Sequence, residues 1–385
     1  MRFTTKPMIP IDFAPGITEK VGEKVVGFGG SNVLIVTDGI LVELGIVDNV
    51  MDSLDNFGID YVVFDNVIPD PPEYLVYDSV KMYNANECDM IIALGGGSSM
   101  DVGKMTKLMI ANEGSLTEYC DFYKPQNIGP KLICMPTTSG TGSEITVAAA
   151  FTNVEAQAKL CVAGPGVQAD LALVDPELAS TMPSKVTIST GFDTLTHAVE
   201  AYICNMANGY ADMFSEKAIA LTLKYLDLAA KDGENINYRS EISRACTFAG
   251  IAISDASIAA AHSMAHSIGA TYHIPHGIAC SIVLPWYLEY ITPVVEKRIR
   301  DLIGMFGGDS NIEREKLGET IRELVIDYAQ YLNLPLFYEI SGASEEDFDE
   351  LSHKAKLDIC GFFSPKMLEI PDYKLLFKKM FEYRR

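Results

Sequence analysis

The stretch MIIALGGGSSMDVGKMTKLMIA (residues 90–111) decides the fold class. It begins with an apolar run typical of a buried strand, passes directly into Gly95, Gly96 and Gly97, and continues with the apolar spacing of a helix. Glycines let backbone N–H groups approach a phosphate closely, and the start of a helix adds partial positive charge. The sequence therefore predicts a strand–turn–helix unit that binds a nucleotide. A tight turn that needs glycine for steric reasons alone is the alternative interpretation.

Four more apolar runs alternate with helical stretches before Pro183. They are VLIVTDG (33–39), YVVFDNV (61–67), KLICMP (131–136) and LALVDP (171–176). Near-continuous apolar strands separated by helices are typical of a mostly parallel sheet that is covered on both faces. The sequence therefore predicts a Rossmann-like α/β fold for residues 1–184.

The second half of the chain has a different pattern. Long helical periodicities dominate it, and β-branched runs are few. One helix is predicted over 213–231, and a second over 243–270, where alanine-rich sequence is apolar on nearly every side and indicates burial. We therefore expect an all-helical domain over residues 185–385, with the boundary near 182–188.

Composition narrows the possible functions. The 385 residues carry a net charge of −22 from 30 basic and 52 acidic side chains, so nucleic acid and anionic membrane surfaces are poor partners. No apolar run is long enough for a membrane span, and the N-terminus lacks the pattern of a secretory signal. The eight cysteines are scattered singly without a CxxC pair, which favours reduced thiols in a cytoplasmic protein.

A second loop complements the glycine turn. PTTSGTGSE (136–144) follows its strand and supplies several hydroxyl groups, among them Thr137, Thr138 and Thr141. Two such loops at neighbouring strand ends form the crevice in which open α/β sheets bind nucleotides. Asp38 ends an earlier strand, where an acid accepts hydrogen bonds from an adenosine ribose and repels a 2′-phosphate, and this favours NAD(H) over NADP(H). An ordinary turn aspartate is the alternative.

Histidines concentrate in one stretch of the helical half. Four of the six lie in AAHSMAHSIGATYHIPHG (260–277), as His262, His266, His273 and His276. Upstream, Asp193 and His197 are four residues apart, so one helical face presents both to a shared ion. Mixed carboxylate and imidazole sets suit divalent iron or zinc. The same spacing would pair His262 with His266, but a catalytic metal needs an open position, and spacing leaves the choice of histidines undecided.

Four blocks of this sequence resemble the signature blocks of the iron-containing (group III) alcohol dehydrogenases. They are GGGSSMDVGK (95–104), PTTSGTGSE (136–144), LALVDPELASTMPSKVTISTGFDTLTHAVEAY (171–202) and AAHSMAHSIGATYHIPHG (260–277). Their order and spacing fit over almost the whole chain. The resemblance implies a dehydroquinate synthase-like fold, with an N-terminal nucleotide-binding domain and an all-helical C-terminal domain that binds a metal.

The resemblance also implies roles for individual residues. The implied metal ligands are Asp193, His197, His262 and His276. The resemblance places His266 close to the nicotinamide and substrate instead of on the metal, and it leaves His273 without a role. The implied dinucleotide contacts are Asp38, Gly95, Gly96, Gly97, Ser98, Asp101, Thr137, Thr138, Thr141 and Lys159.

Four segments depart from the family pattern. One is the strand before VDP, which follows Gln168 and Ala169 where relatives usually have a proline. Ser99 stands where many members have a proline, and Asp70 places a carboxylate where relatives carry an amide that faces the cofactor. Near the C-terminus, the segment CGFFSPK (360–366) replaces a cysteine that is followed by small residues and NPR. Since this segment borders the expected substrate pocket, the sequence leaves the substrate open.

The predicted activity is that of a metal-dependent, NAD(H)-linked alcohol dehydrogenase or aldehyde reductase. Hydride would pass between nicotinamide C4 and a small aldehyde or primary alcohol of the lactaldehyde, 3-hydroxypropanal, butyraldehyde, succinic semialdehyde or sulfoacetaldehyde type. We expect Fe(II) or Zn(II) as the metal and a homodimer or larger homo-oligomer as the assembly. The alternative is polyol oxidation of the glycerol dehydrogenase type, and a non-catalytic metal sensor is a remote third. Dehydroquinate synthase chemistry is disfavoured, because the helical half lacks obvious arginine clusters.

Overall fold

The computed structural model describes residues 5, 8–121, 124, 126–155 and 158–384. It divides into two compact units. The first comprises residues 8–182 together with Glu234–Ser243, and the second comprises Pro183–Gly233 and the chain from Arg244 onward. The first unit thus includes a short segment from within the helical half. The domain limits predicted from the sequence are 1–184 and 185–385. This division does not test them, and they remain a prediction.

The described residues of the first unit form eight strands. In chain order they are β1 (Ile11–Phe13), β2 (Asn32–Val36), β3 (Asp60–Phe64), β4 (Met90–Gly95), β5 (Lys131–Pro136), β6 (Ala148–Asn153), β7 (Ala158–Ala163) and β8 (Leu171–Val174). Six of them form one fully parallel sheet in the order β1-β8-β5-β4-β2-β3, which confirms the predicted mostly parallel sheet. The antiparallel hairpin of β6 and β7 and the short strand β1 are features that the sequence did not predict.

Five α-helices accompany these strands in the part of the unit that the structure describes. They are α1 (Val21–Phe28), α2 (Gly39–Glu43), α3 (Asp48–Asn56), α4 (Glu73–Ala85) and α5 (Gly97–Ala111). Every residue of β4 is buried, as expected for a central parallel strand covered on both faces. Alternate strand residues such as Ile35, Ile92 and Ile133 pack in one apolar core with Val25 of α1 and Leu54 of α3. The carboxyl ends of β4 and β5 then lead directly into the two predicted nucleotide loops.

The second unit is helical throughout its described residues. Its helices are α6 (Ser184–Ile203), α7 (Gly209–Lys231), α8 (Ile236–Asp255, whose first residues belong to the first unit), α9 (Ala260–Tyr272), α10 (His276–Ile291), α11 (Glu296–Met305), α12 (Leu317–Tyr331), α13 (Phe348–Leu357) and α14 (Ile370–Glu382). Most residues of α6 are buried, so this helix lies in the interior of the unit. The predicted all-helical character of the C-terminal part is confirmed.

The single helix predicted over 243–270 is wrong. Helix α8 ends at Asp255, α9 begins at Ala260, and the two are bent by 113° at the break. A new helix begins because the carboxylate of Glu200 accepts the backbone N–H of Ala261 (2.8 Å), which is one of the N–H groups a helix start leaves without a partner. No single described helix is long and apolar enough to cross a membrane, and α8 and α9 meet that criterion only when taken together.

Candidate metal centre and cofactor loops

Helices α6 and α10 approach closely enough to bring distant residues together. Asp193 and His197 lie one turn apart on α6, and both are buried. At Gly277 the two helices touch backbone to backbone, because a Cβ atom there would lie only 1.8 Å from the carbonyl oxygen of Ser189. Any larger residue would push α10 away. Glycine at this position therefore lets His276, the first residue of α10, reach Asp193.

Three imidazole nitrogens from three helices converge on one oxygen. Asp193 Oδ1 lies 3.7 Å from His197 Nε2, 3.5 Å from His262 Nε2 and 3.4 Å from His276 Nε2. Two ligand atoms of a tetrahedral zinc ion, each about 2.0–2.1 Å from the metal, are separated by about 3.3–3.4 Å. The observed separations from Asp193 Oδ1 are only slightly longer. Donor atoms of Asp193, His262 and His276 also lie within 4.8 Å of one another, as the ligands of one ion would, whereas His197 is close to Asp193 but is not part of that group.

The second nitrogen of His262 tests whether a metal fits. His262 is 1% exposed, and its Nε2 atom is buried without a hydrogen-bond partner. A buried polar atom without a partner costs free energy, so such atoms are rare unless they bind an ion or water. His262 Nε2 points at the same place as Asp193 Oδ1 and His276 Nε2, and a divalent cation there would satisfy all of them. The residues present therefore fit a metal.

Glu200 is a residue of this site that the sequence analysis missed. It is fully buried on α6, and its Oε2 atom forms a short hydrogen bond with His262 Nδ1. A carboxylate behind a ligating histidine holds the ring in place and leaves the other nitrogen for the metal. A signal was present in the sequence, because Asp193, His197 and Glu200 have the i, i+4, i+7 spacing of one helical face.

The buried carboxylates of the cluster carry negative charge that a positively charged group or ion would balance. Although burial raises it, the pKa of Asp193 is held well below its usual range by His197, His276 and His262. Although burial lowers it, the pKa of His262 is raised to about 10 by the carboxylates of Glu200 and Asp193. Two buried carboxylates thus attract positive charge to this point. A proton on His262 supplies part of that charge, and a divalent cation would supply it fully.

His266 has a different partner from the three converging histidines. It lies one turn after His262 on α9, and its Nδ1 atom is 2.7 Å from Asp358 Oδ2. Asp358 also accepts the backbone N–H of Cys360 at 2.8 Å and the hydroxyl of Ser263 at 3.2 Å. Burial raises the pKa of Asp358, but His266 and the Cys360 N–H lower it by more, so the carboxylate stays ionised. Asp358, which the sequence analysis also missed, thus orients the ring of His266.

The two remaining histidines lie outside the cluster. His273 is exposed and takes the left-handed backbone conformation that ends α9, with φ 53° and ψ 40°. His353 is exposed on α13, and its Nδ1–H donates a hydrogen bond to the backbone carbonyl of Asp349, one turn earlier. Both have local roles in the helices that carry them.

The two nucleotide loops of the first unit lie side by side. The backbone N–H of Thr137 donates to the carbonyl of Gly95 (3.0 Å). A Cβ atom at Gly97 would lie 2.8 Å from the side chain of Thr141, so glycine is required there for the loops to pack. The residue that caps the start of α5, Gly96, supplies no side-chain hydrogen bond to the first turn of the helix. The arrangement predicted from the two glycine- and hydroxyl-rich motifs is present.

Other predicted dinucleotide contacts have partners within the protein. Asp38 Oδ1 accepts the N–H of Leu41 (3.0 Å) and caps the short helix α2. Both carboxylate oxygens of Asp101 accept hydrogen bonds, from Ser143 and Ala150. Lys159 forms an ion pair with Asp70 (2.7 Å), the residue that departs from the family pattern. The remaining residues of the set, Ser98 and Thr138, are partly exposed at the loops. The dinucleotide contacts stay predictions.

The sequence matches two parts of one family. Residues 10–176 match "Iron-containing alcohol dehydrogenase", and residues 187–381 match "Fe-containing alcohol dehydrogenase family, C-terminal". A choline dehydrogenase of Bacillus subtilis is 33% identical over 370 residues, which cover 95% of this chain and 92% of that protein. An NAD-dependent methanol dehydrogenase of Bacillus methanolicus is 30% identical over 364 residues, 94% of this chain and 96% of that protein. A solved structure of a 1,3-propanediol oxidoreductase has a TM-score of 0.95 at 30% identity, and covers 99% of this chain and 100% of that one.

The parallel sheet with its glycine turn and the buried Asp–His set define an oxidoreductase that uses a nucleotide and a metal. More particularly, the chain belongs to the iron-containing alcohol dehydrogenase family. The predicted family, fold class and class of enzyme are therefore confirmed. So are the predicted cofactors, because this family uses NAD(H) and one divalent metal.

Proposed function

We propose that this chain catalyses the reversible, NAD(H)-linked reduction of short uncharged aldehydes to primary alcohols, with 3-hydroxypropanal as the type of substrate. The convergence of three imidazoles on Asp193 carries this proposal, because it supplies a Lewis-acid site in a chain of this family. The likeness to a 1,3-propanediol oxidoreductase over nearly the whole chain supports the choice of substrate.

Asp193, His197, His262 and His276 would hold the divalent metal. When bound, the metal polarises the oxygen of the substrate and NAD(H) carries the hydride. The protein contributes rigid positions, because each ligand lies on a helix that is held by its neighbours. Glu200 holds His262 from behind, so the ring presents only Nε2 to the ion.

His266 is the residue that we propose to move a proton. Its Nδ1–H donates to the ionised Asp358, so Nε2 is the ring nitrogen left to exchange a proton. In alcohol oxidation Nε2 would take up the proton that the hydroxyl group loses, and in aldehyde reduction it would return that proton. Asp358 is then a positioning residue, since it acts only through the orientation and tautomer of His266.

The charge around these side chains favours an uncharged substrate. The polar partners found for His262, His266 and His276 are carboxylates, other imidazoles and the thiol of Cys280. Once the metal holds the carbonyl oxygen, the far end of an anionic substrate would meet repulsion from Asp358, and these partners include no lysine or arginine that would pair with it. Succinic semialdehyde and sulfoacetaldehyde are therefore disfavoured relative to 3-hydroxypropanal, lactaldehyde and butyraldehyde.

The first domain, residues 1–184, would bind NAD(H). Support comes from the glycine turn at the carboxyl end of β4, where a helix begins without a side-chain cap, and from Asp38 just after β2. We also propose a cytoplasmic location, from the scattered cysteines and the acidic composition. A homo-oligomer remains part of the proposal, and the molar mass of the protein in solution tests it.

A substrate screen tests the proposed activity. The metal-free protein, prepared with a chelator, is reconstituted with Fe(II) or Zn(II) and assayed with NADH and the five aldehydes named above. We expect kcat/KM for 3-hydroxypropanal to exceed that for either anionic aldehyde at least about tenfold, since unfavourable charge contacts cost more than about 1.4 kcal/mol. A preference for an anionic aldehyde would refute the proposed substrate class. Oxidation of glycerol with NAD+, without turnover of any of the five aldehydes, would favour the polyol alternative, and metal binding without any turnover would favour the sensor.

A further inference from the structure

Cys280 lies within the donor set of the metal centre. It follows His276 by one turn on α10, so both side chains share one helical face. Its Sγ atom is 3.6 Å from His276 Nε2 and 3.7 Å from Asp193 Oδ1. The thiol is fully buried, in contact with two predicted ligands of the ion.

These two distances are those expected when a sulfur and a nitrogen or oxygen share one ion. A sulfur about 2.3 Å and a nitrogen or oxygen about 2.0–2.1 Å from a tetrahedral zinc ion are separated by about 3.5–3.6 Å. One atom from each of Asp193, His262, His276 and Cys280 lies within 4.8 Å of the other three. The sulfur and the three other donor atoms are therefore close enough to bind one ion together.

His262 supplies an independent indication that a ligand belongs at this point. Its Nε2 atom is buried without a hydrogen-bond partner and is directed into the same group of atoms as the sulfur. The space between these side chains therefore calls for an ion, and Cys280 borders that space. Sulfur is a softer donor than carboxylate or imidazole and selects different metals.

We propose that Cys280 is a ligand of this centre for thiophilic ions such as Zn(II), Cd(II) and Co(II), and that it stays unbound when the harder ion Mn(II) occupies the site. The proposal rests on the metal centre of the proposed function. The sulfur binds as the thiolate, and its proton leaves to solvent. The nitrogen and oxygen donors are then common to all these ions, and the thiolate is a further donor that only the softer ions engage.

Spectroscopy of the Co(II)-loaded full-length protein tests this proposal without any assay of activity. A thiolate bound to Co(II) produces a charge-transfer band in the near ultraviolet, which carboxylate and imidazole ligands do not produce. We expect this band in the wild-type protein and in Cys134→Ser, which changes another fully buried cysteine in the other unit. We expect Cys280→Ser and Cys280→Ala to bind Co(II) without the band.

Competition between metals provides the second measurement. In wild type, the ratio of Cd(II) to Mn(II) affinity should exceed that of Cys280→Ser by at least about tenfold, because even a group that only supports a ligand is worth that much. Mn(II) affinity itself should be nearly the same in the two proteins. The wild-type spectrum alone decides the main point, so a Cys280 variant that fails to fold does not remove the test.

The outcomes separate this inference from the metal centre itself. A wild-type protein that binds one Co(II) per chain, shows its visible absorption and lacks the thiolate band would overturn the role of Cys280 alone. Equal Cd(II)-to-Mn(II) ratios in wild type and Cys280→Ser would do the same. A wild-type protein that binds no Co(II) would overturn the metal centre and with it both proposals.

Discussion

Two buried ionic clusters, one in each unit of the chain, differ in how completely they are satisfied. In the first unit, the ammonium of Lys104 is fully buried and donates to the hydroxyls of Ser143 (2.8 Å) and Thr146 (3.0 Å) and to the carbonyl of Ala148 (3.0 Å). In the second unit, His262 is equally buried, but only its Nδ1 atom has a hydrogen-bond partner, Glu200, and Nε2 has none.

The difference separates a structural cluster from a chemical one. An ammonium has three protons to donate, and Lys104 uses all three to tie α5 to the loop before β6 and to the first residue of β6. Such a cluster needs nothing more, so Lys104 is a structural residue even though it follows the glycine turn. The Asp193–His262 cluster instead presents several acceptor atoms to one point. A divalent ion at that point would satisfy all of these atoms at once.

The largest expected effect is that of removing the central carboxylate of the incomplete cluster. Asp193→Ala should lose the metal and with it about a thousandfold or more in kcat/KM, because a Lewis acid contributes several kcal/mol to the transition state. Elemental analysis and kinetics of the purified protein measure both. His262→Ala should behave alike, whereas His273→Ala, at an exposed helix end, should keep its metal. Normal metal content in both Asp193→Ala and His262→Ala would refute the ligand assignment.

Breaking the satisfied cluster should affect stability and leave the metal in place. Lys104→Met removes the charge that faces Asp101 and should lower the free energy of unfolding by about 3–5 kcal/mol. Urea denaturation measures this, with Lys81→Met as the control, because the Lys81–Asp78 pair is exposed and such pairs contribute about 0–1 kcal/mol. Loss of metal from folded Lys104→Met would mean that the two clusters are not separate in function.

Changing the carboxylate that holds a ligand in place should lower metal affinity less than removing a ligand does. Glu200→Gln keeps the shape of the side chain but removes the charge that faces His262 Nδ1. Metal affinity, measured by competition with a chelator, should fall by about 10–100-fold. Glu216→Gln, at an exposed position on α7, is the matched control and should bind metal normally. Unchanged affinity in Glu200→Gln would show that Glu200 serves only to begin helix α9.

The smallest effect should come from the carboxylate that orients His266. Asp358→Asn should lower kcat by about tenfold, which is less than the 100-fold or more that a proton-transferring group contributes. Metal content and KM for NADH should stay the same, and Asp358→Glu should recover part of the rate because it restores the charge. A rise in KM for NADH with unchanged kcat would contradict the positioning role.

The fold class was predictable because strands and helices follow from local periodicity. The apolar runs that end at Gly95 and Pro136 became β4 and β5, and the glycine turn became the start of α5. The hairpin of β6 and β7 was not predictable, since AAAFTN and AKLCVA lack a clear strand pattern. The break after Asp255 was missed for another reason. It depends on Glu200, which lies 61 positions before Ala261 in the chain and whose carboxylate accepts the backbone N–H of Ala261.

By itself, the sequence determined the helical face that presents Asp193 and His197 and the concentration of histidines that faces it. It left open which of those histidines approach Asp193, and the spacing alone would have paired His262 with His266. Only the tertiary structure decided this, through the backbone contact at Gly277 that carries His276 to Asp193 and the hydrogen bond by which Asp358 holds His266. The physical reason is the short distance along the chain over which a sequence pattern is informative. Spacing specifies which side chains share a face of one helix, whereas partners from other helices are specified only by how the helices pack.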